Sequence, residues 1–355
     1  MADSAVVAAL QVDQWSRKLR EEYVRDMQLR KLMGRSPNAP IQMITELQKS
    51  PGDDITVPLV TRLTGSGQTG DNTLEGNEEA LGNYGHKITV DQIRHAVRVG
   101  RMEQKKTFFN MLEAARPMLK KWAMAKLRTD ILAAAHSANV DGSTAYASCS
   151  EAQKDAWLAA NSDRVLFGAA KSNNSANDHS ACLSNVDSTT DVLSVAIGSL
   201  AKRMGKTADR YITPVEVGEE SGETFVMLCN SLCFRDLKGD TTLTAALRDA
   251  LPRGRRNPLF TDGDLYYDGV IYKEVEEMGV ISGVGASSID VAANYLLGAQ
   301  AIGVAVGEQL HAIKNVRDYA NLNGVGVAEI RGVDKLMWNS IQNMVTVYCA
   351  AVADT

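Results

Sequence analysis

The spacing of apolar positions changes character several times along the chain. Trp15, Leu19, Tyr23 and Met27 recur every fourth residue among Arg, Lys, Glu and Asp. That period predicts an amphipathic helix from about Asp13 to Met33 with one narrow apolar stripe. The stripe needs a partner, either in its own domain or in a neighbouring subunit. Gly34, Pro37 and Pro40 then break the pattern and leave the helix as an arm; an ordinary first helix of a globular domain is the competing reading. Ile55, Val57 and Leu59 alternate with polar or constrained positions, as in a half-buried strand, and Pro58 places that strand at a sheet edge. From Leu63 to Gly85 the chain is rich in glycine, poor in apolar residues and unable to hold a core. A second strand run follows with Ile88 and Val90, then Ile93, His95, Val97 and Val99. Its shift of phase between Val90 and Ile93 predicts a bulge or an over-long, twisted ribbon. Together the two runs predict a long hairpin with a glycine-rich tip, and such a ribbon needs something to pack against.

From Met102 to Ala138 the period becomes helical. Phe108, Leu112, Leu119, Ala123, Leu127 and Ile131 mark one side, and Lys105, Arg116, Lys120, Lys121, Lys126 and Arg128 populate the other. Such a helix would run roughly 55 Å at 1.5 Å per residue, a spine longer than a compact domain requires. Pro117 predicts a bend or break, because it removes a donor and crowds the preceding turn. Asp141 to Asp187 is polar, with an apolar island at Trp157, Leu158 and Val165 to Phe167, and reads as peripheral loops with one or two short helices. A second compact region begins near Thr190. It is expected to hold a helix through Val192, Val195, Leu200 and Met204, with strands at Tyr211–Val217 and Thr224–Leu228. A helix from Ser231 to Leu251, a strand at Gly269–Val275 and a helix containing Tyr295, Leu296 and Ile302 follow. A last strand is expected at Met344–Val352. Strands and helices alternate without a regular βαβ beat, so the fold class is α+β.

Composition narrows the function. Of 355 residues, 45% are apolar and 23% charged, ordinary globular values, and 38 basic against 43 acidic residues leave a net charge of -5. A protein that coats nucleic acid carries a basic surplus, so contact with DNA is expected to be weak or confined to a patch. The five cysteines, Cys149, Cys182, Cys229, Cys233 and Cys349, form no dense framework and read as reduced thiols. The N-terminal residues carry no signal-peptide pattern, and no run approaches a transmembrane length, so no membrane partner is expected.

Each candidate for chemistry has a simpler reading. Gly205-Lys206-Thr207 resembles the end of a phosphate-binding loop, but Leu200 stands where the opening glycine belongs, so Gly205 reads as a helix stop. Cys229 and Cys233 lack the second pair that a structural zinc needs. The five histidines are scattered. Asp262 and Asp264, near Asp268, lack the further oxygen ligands of a calcium loop, and the TDGD stretch that holds them reads as a turn. Arg253, Arg255 and Arg256 form the sharpest basic cluster, suited to phosphate and carboxylate alike; three are too few to claim nucleic-acid binding, and a subunit contact with the acidic stretch at Glu219 and Glu220 is an equal reading. No serine sits in a nucleophile elbow. No catalytic residue, cofactor or metal is expected.

The stretch ITVPLVTRLTGSGQTGDNTLEGNEEALGNYGHKITVDQIRHAVRVG, Ile55 to Gly100, strongly resembles the major capsid proteins of a podovirus-type (N4-like) family of tailed bacteriophages. So do NYLLGAQAIGVAVG, Asn294 to Gly307, and the closing region with Asp318, Tyr319, Asn321 and Val333-Asp334-Lys335. The resemblance implies the Hong Kong 97-type (HK97-like) capsid fold. By segment it implies an N-terminal arm over 1–54, an extended β-hairpin loop over 55–100 and a peripheral domain over 101–189 with a spine helix at 102–138. An axial domain over 190–327 and a return to the peripheral domain over 328–355 complete it. The implied function is self-assembly into hexamers and pentamers of an icosahedral head enclosing double-stranded DNA, assembled in the host cytoplasm and kept in the virion. The implied partners are other copies of the chain, a portal protein, a separate scaffolding protein and a decoration or cement protein, with only non-specific proximity to packaged DNA. The expected intersubunit contacts are Trp15, Leu19, Tyr23, Met27, Gly65, Gly67, Gly70, Asp71, Glu75, Arg253, Arg255 and Arg256. Some relatives carry a lysine–asparagine cross-link; Lys87 and Asn339 are present, but nothing local nominates them, and the sequence leaves that reaction open. An encapsulin-like compartment subunit is the first alternative; a soluble α+β enzyme with a flexible flap is the second.

Overall fold

A computed structural model describes residues 28–48, 52–106, 110–216, 223–250 and 264–354. Two mixed layers share one apolar core. The first is a five-stranded sheet in the order Met33–Gly34, Ile41–Ile44, Ile302–Arg317, Leu322–Lys335, Asp91–Gly100. Its centre is a long antiparallel ribbon in which Ile302 pairs with Lys335 and Arg317 with Leu322, interrupted by a register shift between Val306 and His311. The helix Met111–His136 lies on one face of this sheet and buries Leu119, Ala123, Leu127 and Ile131 against Ala312, Val325 and Val327. Each large aliphatic side chain buried there contributes roughly 1.5–3 kcal/mol. Asn110 starts the helix, its side chain accepting from the backbone N–H of Leu112 and Glu113.

The second layer is a sheet in the order Val165–Phe167, Met344–Ala350, Val291–Leu297, Phe225–Asn230, Val270–Val275, Leu265–Tyr267, with Val280–Ile281 beside Val291–Leu297. One face packs on Val195–Thr207, Ser231–Lys238 and Thr241–Ala250. The other shares a core with the long helix through Val226, Leu228, Tyr295 and Tyr348. The mixed helix and sheet architecture agrees with the α+β expectation.

Several local expectations are corrected. The segment around Tyr295 and Ile302 is strand: Val291–Leu297 pairs on both edges and packs one face in each of two cores, so it is buried at every position and no polar–apolar alternation distinguishes it from a helix. The phase shift after Val90 is a change of sheet. Ile88 still pairs with Ile55, whereas Ile93 pairs with Glu329 of the central ribbon. The long helix passes through Pro117 without a break and begins at Met111, after a separate short helix at Arg101–Lys106. Ser231 to Leu251 divides at Gly239, where the first helix ends and Asp240 caps the next by accepting from Thr242. Gly205 does not stop its helix, which continues to Thr207. Among the described residues of the expected strand, 211–216, there is a single bridge, Val215 to Thr224, and no strand. The apolar island is more than peripheral, since Trp157, Leu158 and Phe167 lie in the main core.

Sheet pairing also cuts across the expected domain limits. Ile302–Arg317, placed with the axial region, belongs to the sheet under the long helix, and Met344–Ala350, placed with the peripheral return, runs through the second sheet.

Candidate assembly surfaces

The hairpin is built from Asp54–Val60 and Asn83–Thr89, antiparallel from Asp54 opposite Thr89 to Val60 opposite Asn83. Pro58 is accommodated because its strand has a neighbour on one side only. The root is anchored in a small core of Ile88, Ala305, Leu336 and Trp338, with Ile55, Val57 and Leu59 packed on it. Trp338 Nε1 donates to Val57 O at 3.0 Å, and Lys87 pairs with Asp54.

Beyond the root the hairpin has no core, and every residue from Arg62 to Leu81 is exposed. Thr61 N still bonds Gly82 O across the neck. The Glu79 carboxylate then accepts from Thr64 N and Gly65 N, each at 2.7 Å, and these bonds hold its pKa below the ordinary carboxylate value. Gly67 and Gly70 take φ of 70° and 68°, the left-handed region where glycine is unstrained. Leu63, Leu74 and Leu81 are about 60% exposed, an apolar display in a segment that buries none of it. Asp71 and Glu75 make no ion pair with any described residue.

The far end of the central ribbon is a second projecting surface. Asp318, Tyr319 and Ala320 all have positive φ, Asn321 bonds back to Asp318, and Tyr319 stands fully in solvent. Neither Tyr319 nor the alternation of Arg94 and Arg98 with His95 and Val97 entered the expected contact set; the alternation was visible in the sequence, the surface it forms beside Ile313 and Arg317 was not.

Of the expected contact residues, the structure brings Gly65, Gly67, Gly70, Asp71 and Glu75 together on the exposed tip. Trp15, Leu19, Tyr23, Met27, Arg253, Arg255 and Arg256 lie outside the described residues, as do Glu219 and Glu220.

The titratable interior is structural. All five cysteines are free and buried, and burial pushes Cys233 up to about 12. His136 and His179 are pushed down to about 4, mainly by burial, within an aromatic cluster where His136 Nδ1 lies 2.6 Å from Tyr295 OH. Lys206 pairs with Glu223. Asp268 and Gly269, both at positive φ, form the two-residue turn of the hairpin that joins Leu265–Tyr267 to Val270–Val275. Among the described residues no group of three or more His, Cys, Asp or Glu could hold a metal ion, and no helix is long and apolar enough to cross a membrane.

Comparison with known proteins meets this picture of a packed body with projecting limbs. A family described as phage capsid protein matches residues 3–352. The chain is 32% identical over 332 residues to the major capsid protein of Pseudomonas phage KPP25, covering 87% of this chain and 85% of that one. It superposes on the capsid of cyanophage Pam1 with a TM-score of 0.87 at 33% identity over 100% of both chains. The capsid of Ralstonia phage GP4 shares the fold, with a TM-score of 0.70 at 21% identity over 91% of this chain and 90% of that one. The fold is thus of the Hong Kong 97 type, the limbs are those of a structural virion component with no enzymatic role, and the chain belongs to the phage capsid protein family.

Proposed function

We propose that this chain is the repeating subunit of an icosahedral phage head, arranged as hexamers and pentamers around double-stranded DNA. The observation that carries the reading is the hairpin: a segment exposed throughout from Arg62 to Leu81, rigidly rooted and displaying leucines, has its complement on another copy. The sheet beneath the long helix serves as the peripheral domain and the second sheet as the axial domain; the residues before the strand Met33–Gly34 serve as an arm and the hairpin from Asp54 to Thr89 as the extended loop. Contacts made at once by arm, loop and spine reinforce one another through effective concentration, so each can be weak.

A portal protein, a separate scaffolding protein and a decoration or cement protein are the proposed further partners. The net charge of -5 suits a wall that encloses DNA without adhering along its length. The podovirus-type assignment is supported by the Ile55–Gly100 stretch. The compartment alternative would share the shell and differ in cargo.

Negative-stain electron microscopy of the purified full chain, expressed with and without a scaffolding protein, tests the reading. Closed shells or rings of five and six are expected. A monomer that forms neither under either condition overturns it.

A further inference from the structure

The face of the central ribbon opposite the long helix carries an unfilled groove of about 470 Å³. Strand register explains its shape. Gly326 lies between Ile313 and Ala96, and Gly324 between Asn315 and Arg98, so the middle strand presents a floor without side chains. Arg94 and Arg98 rise on one side, Ile313 and Arg317 on the other. Arg94, Arg98 and Arg317 are exposed, and no carboxylate among the described residues pairs with them.

The same chain displays the complementary charge. Between Arg62 and Lys87 stand Asp71, Glu75, Glu78 and Glu79 and no lysine or arginine. Glu79 is committed to the neck and Glu78 accepts from Gly76 N, which leaves Asp71 and Glu75 without a described partner. Arg94 and Arg98 are four residues apart on one face of a strand, roughly 13 Å. Asp71 and Glu75 are also four residues apart and span at most about 14 Å.

Resting on the reading of the hairpin as an intersubunit limb, we propose that the arginine-lined groove of one subunit receives the acidic hairpin tip of a second copy. Asp71 and Glu75 pair with Arg94 and Arg98, and the glycine floor lets the incoming backbone approach closely while Leu74 covers Ile313. Charge-assisted pairing of this kind sets partner and register more than raw affinity.

Full-length variants assayed for closed-particle yield by electron microscopy and gradient sedimentation test it. Arg94→Glu with Arg98→Glu, or Asp71→Lys with Glu75→Lys, is expected to lower yield at least about tenfold, and the four-fold charge exchange to restore it to within about threefold. A fourth variant lacks residues 66–78; its ends, Gly65 and Glu79, already touch. If that deletion abolishes shells but the exchange rescues nothing, the tip docks elsewhere or the arginines hold another polyanion such as packaged DNA. That result overturns the groove assignment and leaves the limb reading standing. If the deletion forms shells in normal yield, the limb reading fails and the groove assignment with it.

Discussion

His86 of the hairpin faces Asp334 of the central ribbon across the buried root, with Nε2 3.9 Å from Oδ2. Burial pushes Asp334 up to about 7, assisted by the nearby Asp141, and burial lowers His86 although a backbone bond to Met337 opposes the shift. Neither group is fully compensated, and His86 Nε2 has no hydrogen-bond partner among the described residues. The limb is attached to the body through a joint that tolerates charge poorly.

A pH prediction follows from Asp334. Its folded pKa is raised above the ordinary carboxylate value of 3.8, so between pH 4 and 7 the folded state binds the proton more tightly than the unfolded chain. The stability it contributes is present at low pH and is lost as pH rises through about 7. Asp334→Asn should stabilise the subunit at pH 8 by about 1–3 kcal/mol and flatten the difference near pH 4. Urea unfolding of unassembled subunits at both pH values measures this; equal stability of variant and parent at pH 8 contradicts it.

Lys335 works with the opposite sign. Its side chain is wholly buried beneath Trp157, with Nζ donating to the Ser137 carbonyl at the end of the long helix and to Gln342 Oε1 at 3.0 Å. Burial depresses its pKa to about 7, so between pH 7 and 10 the unfolded chain binds more protons and stability climbs with pH. Lys335→Met should remove that climb. It should also cost about 1–3 kcal/mol by leaving two acceptors unsatisfied, which parallel denaturation curves at pH 7 and pH 9.5 will show.

Close packing at the hairpin root makes Gly332 the sharpest steric test. A Cβ at this position would stand 2.1 Å from Thr89 O, a backbone atom that cannot swing away. Gly332→Ala is expected to lower stability by about 2–4 kcal/mol through forced separation of hairpin and ribbon. Gly67→Ala, where nothing lies within 4 Å but φ is 70°, should cost only about 1 kcal/mol. Thermal unfolding of the two variants should rank them in that order.

Amide exchange can locate the limb's partner state. The backbone from Thr64 to Gly82 belongs to no strand, so rapid exchange is expected there in free subunits, while Ile88 stays protected in its core. Assembly should slow exchange across the tip by at least about tenfold. Identical tip exchange in subunits and shells would contradict an intersubunit role.

Local chemistry was legible wherever a short window contains its own period or breaker. The alternation of Ile55, Val57 and Leu59, the edge position of Pro58 and the coreless glycine-rich tip could be read residue by residue, as could the spine period through Leu119, Ala123, Leu127 and Ile131. These depend on backbone stiffness and on one apolar face per element. The exposure of Gly65, Gly67, Gly70, Asp71 and Glu75 could be read this way because nothing nearby could bury them. Tertiary structure decided the remainder. Val291–Leu297 is a strand because distant segments pair with both its edges and two separate cores cover its faces, and the change of sheet after Val90 depends on Glu329, far along the chain, being there to pair with Ile93. Likewise Asp334 and Lys335 look like surface charges in the sequence, and Arg94 and Arg98 acquire a shared groove only when Gly324 and Gly326 are laid beside them. Periodicity shows that an element has a face to bury; which distant segment buries it is set by long-range packing that no short stretch of sequence contains.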